Sequence, residues 1–137
     1  MKIHQKPLCN RSDDNMVRMR STIAILIALI ALVIYSNWLV HHVTQTMVLQ
    51  LEEIQIACNS QNYKEGTAKI KGLREYYKSK EHLLALFIKR DYLGSVGVSI
   101  WGLSAYSQQE NLQDLNSEIN KTKAQLMVIE HLFFSML

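Results

Sequence analysis

Twenty consecutive residues, Ser21–Val40, carry no charge, and Ile23–Tyr35 is apolar without interruption. No other feature of the 137 residues limits the fold as strongly. In hydrocarbon every backbone N–H and C=O needs an internal partner, so a run of this kind enters a bilayer only as a helix. At about 1.5 Å per residue it covers about 30 Å, the depth of a bilayer core. Tyr35 and Trp38 stand at its far end, where amphipathic rings favour the headgroup layer. The competing reading is a buried core helix, which requires a domain that surrounds it on every face. A chain this short seldom supplies one.

The flanks give an orientation. Residues 1–20 hold Lys2, Lys6, Arg11, Arg18 and Arg20 against Asp13 and Asp14, a net charge of +3. Residues 41–137 hold ten basic and ten acidic residues, and no Lys or Arg occurs between 41 and 63. All of the excess positive charge therefore precedes the apolar run. The positive-inside rule then predicts a basic cytoplasmic leader (1–20), a transmembrane helix (21–40) and an extracytoplasmic helical domain (41–137) of a single-pass cell-membrane protein. A charge-balanced domain on that side is not the footprint of a nucleic-acid binder. Tyr35-Ser36-Asn37-Trp38 is too bulky for signal-peptidase cleavage, so the segment reads as a signal-anchor. Cys9 and Cys58 fall on opposite sides of the membrane, which argues against a disulfide between them. Cys58 is expected to be a small buried thiol, with an intermolecular bridge as the alternative.

Five Gly and one Pro leave little turn chemistry, and the remainder reads as helix throughout. Val40, Val43, Met47, Leu51, Ile54 and Cys58 form one stripe at helical spacing, which predicts that the first helix continues unbroken to about Cys58. Asn62 and Glu65 fit a capping box that starts a second helix over 63–89. Tyr63, Ile70, Leu73, Tyr77, Leu84 and Phe87 or Ile88 mark the buried face of that helix. It is basic, with eight Lys or Arg against three Glu between 63 and 90, a bias read as a solvated or headgroup-facing side. Residues 92–109 carry no charge, yet their Gly and Ser content makes them a weak second span. A helix begun near Asp91 is predicted instead, with Val96, Ile100, Leu103 and Tyr106 inward and small residues admitting a close neighbour.

Leu112, Leu115, Ile119, Thr122, Leu126, Ile129, Phe133 and Met136 step by three and four without a slip. Such a heptad predicts a coiled-coil-like seam, either within a bundle or between chains. Glu110, Asp114, Glu118 and Glu130 make this last helix acidic, so antiparallel packing against the basic second helix would join opposite charges. The predicted fold class is all-α: a transmembrane helix continuing into a three- to four-helix antiparallel bundle.

Reactive motifs are missing from the sequence. His41 and His42 are adjacent and diverge by about 100° on a helix, so they do not chelate one metal from one face. Glu81-His82 and Glu130-His131 are ordinary surface or core-edge pairs, and no zincin, paired-cysteine, phosphate-loop or nucleophile-elbow pattern occurs. No enzyme activity, metal or cofactor is expected.

Arg20-Ser21 leads an apolar helix that ends in Ser36-Asn37-Trp38. Tyr63 sits in an Asn-aromatic-x-Glu setting, Leu86-Phe87-Ile88 leads to an acidic residue, and Ser99, Leu103 and Tyr106 follow a Ser-x-x-x-Leu-x-x-Tyr spacing. Over about residues 19–132 this layout resembles the bacterial domain-of-unknown-function family 4363, small single-span membrane-anchored helical proteins. The chain departs in having Tyr77 where a Trp often stands, in ending soon after His131, and in an extra leader that makes Met16 or Met19 an alternative start. The resemblance implies a cell-membrane protein and brings no activity.

Two functional expectations follow. The first is a membrane-anchored, non-enzymatic interaction module that binds a protein partner or itself, with Leu112, Leu115, Ile119, Leu126, Ile129 and Phe133 as the candidate face. The second is an extracytoplasmic sensor bundle whose small ligand lies among Tyr63, Tyr77, Trp101 and Tyr106.

Overall fold

The computed structural model describes the backbone of residues 11–108 and 111–135, and side chains from Asn15 onward. Cys9, Glu110 and Met136 lie outside the described residues. Four helices follow one another, α1 (Arg11–Asn59), α2 (Tyr63–Leu84), α3 (Arg90–Gln108) and α4 (Leu112–Ser135), with no strand among the described residues. They divide into two compact units, one ending at Tyr35 and one beginning at Ser36.

In the first unit the large apolar side chains between Ile23 and Tyr35 are 40–64% exposed within the protein. An 18-residue stretch of α1 is long and apolar enough to cross a membrane.

The second unit is an antiparallel four-helix bundle. Its first helical stripe is fully used: Val40, Val43, Met47, Leu51, Ile54 and Cys58 are all buried. Burial in this unit begins at Ser36, with Leu39 and Val40 also buried. Contacts between helices fix the register. Gln55 Nε2 donates to Asn116 Oδ1 and His41 pairs with Glu130, so α1 and α4 run antiparallel. Lys69 reaches Glu53 from α2 to α1, Tyr77 Oη donates to the Leu93 carbonyl from α2 to α3, and Gln125 donates to Ser95 from α4 to α3.

Local chemistry sets the turns. The N–H of Asn62 donates to the Ala57 carbonyl (3.0 Å) and that of Gln61 to Cys58 (2.9 Å), with Gln61 at φ 60. This is a Schellman ending with a left-handed residue at the position glycine usually fills. Asn62 then caps α2: its side-chain oxygen accepts from the Glu65 N–H, and its amide nitrogen donates to the Glu65 carboxylate (2.7 Å). The same device, unforeseen in the sequence, starts α4, where Asn111 bonds both the N–H and the carboxylate of Asp114.

α2 ends at Leu84 rather than near Lys89. The N–H groups of Phe87 and Ile88 both turn back to the Leu84 carbonyl, closing a tight turn without Gly or Pro. That turn carries Ile88 into the core and leaves Leu86 74% exposed. On α3, Val96, Ile100 and Leu103 are buried as the spacing predicts, while Ser107 takes the deep position expected of Tyr106, which is partly buried. Close approach to α2 occurs at Gly97, where an added Cβ would lie 3.1 Å from Tyr77 Oη. Gly94 and Gly102 have open space around them.

The predicted charge pairing of α2 with α4 is not formed. Both helices run antiparallel to α1 and hence parallel to each other, and no ion pair among the described residues joins them. Both instead pair with α1, through Lys69–Glu53, Lys123–Glu52 and His41–Glu130.

Candidate functional site

The seam on α4 is satisfied within one chain. Leu115, Ile119, Thr122, Leu126 and Ile129 are buried within the bundle, and Leu112 and Phe133 are packed partly buried at its two ends. Of the two readings of the heptad, the structure places it inside the bundle.

The four aromatic residues proposed to line a pocket do not converge. Tyr77 is buried with its hydroxyl on the Leu93 carbonyl (2.6 Å), and Trp101 is half exposed under the Arg74 guanidinium, 3.6 Å from the ring centroid. These two share a shallow open groove with Lys78, Glu81, Gly97 and Val98. Tyr63 and Tyr106 lie outside that groove, packed against the core. Burial, with a smaller effect from Glu81, pushes the Tyr77 hydroxyl up to about 12, so it stays a neutral donor.

Cys58 has no exposed surface and burial raises its thiol above the ordinary range, which disfavours the reactive thiolate. Among the described residues no three His, Cys, Asp or Glu side chains are placed to hold a metal.

One polar arrangement escaped the sequence reading. His41 Nδ1 lies 2.5 Å from Glu130 Oε1, Gln45 donates to the other carboxylate oxygen, and Phe134 meets the His41 ring edge-on. His42, on the diverging face, stacks on Trp38 with 2° between the rings. The adjacent histidines thus do point apart, as the helix geometry requires. The Glu130 partner of His41 comes from 89 residues away, so only the folded topology reveals it.

The end of the bundle that holds Ser36 also holds the α2–α3 turn and the last turns of α4. An apolar gap of about 130 Å³ opens there between Phe87, Ile88, Tyr92, Ile129, Leu132 and Phe133. Leu86, Trp38 and Phe134 are exposed at the same end, beside the exposed Lys89 and Arg90.

No curated protein and no solved structure matches the chain. A family model, described as "Domain of unknown function (DUF4363)", matches residues 34–133. That range coincides with the bundle and starts later than the resemblance drawn from the sequence, leaving most of the apolar run outside it. The chain belongs to this family of helical domains of unknown function.

Proposed function

We propose that the protein is a membrane-tethered, non-enzymatic helical module. In this reading α1 crosses the cell membrane with its basic leader in the cytoplasm, and the bundle stands on the extracytoplasmic side to engage a protein partner. The observation that carries it is the change of burial along α1. Large apolar side chains from Ile23 to Tyr35 are exposed, although the bundle that follows buries its own apolar stripe almost completely. So large an apolar surface left uncovered on a folded chain calls for hydrocarbon around it. The basic residues before the run supply the orientation. With the α4 seam occupied, the partner would meet outward helix faces, of which the strip containing Val98 and Trp101 is the most apolar on α3.

Two treatments of cells expressing the full chain test the reading. The protein should stay in the membrane pellet after carbonate washing, and protease added to intact cells should remove residues beyond 41. Release by carbonate defeats the anchor, and a C-terminal portion untouched by protease defeats the orientation.

A further inference from the structure

The charge-free stretch of α1 that remains outside the bundle is short. The bundle begins at Ser36, so Ser21–Tyr35 is left, fifteen residues or about 22 Å of helix. A bilayer core is about 30 Å deep. The remaining depth of about 8 Å corresponds to Ser36–Val40, five residues that are already part of the bundle. Whatever shares their level is carried to the membrane surface. Arg18 and Arg20 relieve some of the mismatch at the other end by extending toward the headgroups.

The interhelix contacts identify what shares that level. Glu130 is paired with His41, so Phe134, one turn further along α4, lies level with Asn37. Lys69 is paired with Glu53, which brings the end of α2 at Leu84 level with about Trp38 and sets the α2–α3 turn at the same end. The exposed side chains at this base are the ones an interfacial layer takes. Leu86 is 74% exposed at the tip of the turn, Trp38 60% and Phe134 48%. Lys89 and Arg90 are exposed two residues beyond Phe87, after the buried Ile88, and they match lipid phosphates in charge. An apolar residue with this exposure in a tight turn has no role in the bundle's own packing.

We propose that the base of the bundle, with Leu86, Trp38 and Phe134 as apolar contacts and Lys89 and Arg90 as phosphate ligands, is seated in the headgroup layer of the leaflet that α1 enters. The bundle is then fixed on the membrane at two points, the α1 span and the α2–α3 turn. The proposal rests on the membrane reading above, and its test separates the two.

Full-length protein is reconstituted into phosphatidylglycerol/phosphatidylcholine vesicles with and without lipids brominated near the headgroup, and tryptophan emission is read. Three single-tryptophan proteins are compared: W101F, which keeps Trp38, and L86W and I56W, each on a W38F/W101F background. Ile56 is 66% exposed and lies twenty residues beyond Ser36 on α1, about 30 Å away. Both Trp38 and L86W should lose about half of their emission to the brominated lipid, and I56W should lose almost none. On the L86W protein, K89E/R90E should reduce the quenching at least twofold in the anionic vesicles and by less in pure phosphatidylcholine, where choline offsets each phosphate charge. Quenching of Trp38 without quenching of L86W overturns this proposal and leaves the anchor standing. No quenching at Trp38 removes the anchor itself. Equal quenching of L86W and I56W overturns a contact confined to the base, and no response to K89E/R90E overturns the phosphate contact.

Discussion

Replacing Gly66 by alanine tests how tightly α2 is set against α1. A Cβ built at Gly66 would lie 2.4 Å from Cys58 Sγ, far inside the 3.5–4.0 Å at which such atoms rest. Cys58 has no exposed surface and Gly66 is itself buried, so neither side yields without moving a helix. Overpacking of this kind costs about 1–3 kcal/mol. The higher helix propensity of alanine returns up to about 1 kcal/mol. With a clash near the middle of that range the net loss for G66A should be about 1 kcal/mol, which for a unit of roughly 100 residues lowers Tm by roughly 4–8 °C. C58A alone removes one buried atom and should cost about 1 kcal/mol. In the double variant the new methyl enters the space the sulfur left, so G66A on the C58A background should be neutral or stabilising. The coupling between the two sites is then about 2 kcal/mol. Thermal unfolding of the full chain in mild detergent, followed by circular dichroism, reads all four corners of the cycle. If G66A melts with the parent protein, or the two substitutions add independently, the contact is not as drawn.

Two further outcomes follow from the same structure. The Tyr77 hydroxyl titrates near 10 when unfolded and about 12 when folded. The proton is therefore held more tightly in the native state, and its contribution is complete below pH 10 and lost as pH rises toward 12. Y77F should flatten that part of the stability–pH curve while costing about 0.5–1.5 kcal/mol at neutral pH through the lost bond to Leu93. An unchanged alkaline slope in Y77F would point to other groups. Gln61 holds φ 60 without being glycine, so Q61G should raise stability by about 0.5–1 kcal/mol, read as a higher Tm. A lower Tm would mean that the Gln61 side chain contributes contacts of its own.

What the sequence disclosed depended on periodicity. The stripe from Val40 to Cys58 and the heptad from Leu112 to Phe133 were legible because each residue recurs on one helical face, and all of their members except Leu112 and Phe133 are buried. The turn after Leu84 was not legible, because Ala85–Lys89 contains neither Gly nor Pro and its apolar residues continue the helical phase. The charge bias of α2 and α4 was real but its partner was wrong. Complementary sign does not say which helices are neighbours, and in an up-down-up-down order α2 and α4 are not adjacent in sequence or direction. The aromatic residues suggested a pocket by type alone, and type does not bring Tyr63 or Tyr106 to the groove of Tyr77 and Trp101.

The boundary between the two units falls in the middle of an uninterrupted helix. A soluble fragment begun at residue 41 would discard Leu39 and Val40, 7% and 1% exposed, each worth about 1.5–3 kcal/mol of burial; one begun at Ser36 keeps both. Helical phase makes the same boundary sharp for insertions. One extra residue after Tyr35 leaves the order of every core side chain intact, whereas one extra residue after Val43 swings Met47, Leu51, Ile54 and Cys58 about 100° out of the core. Exchange of the N-terminal unit for another helical sequence is thus tolerated up to Tyr35 and meets buried positions within a single turn beyond it.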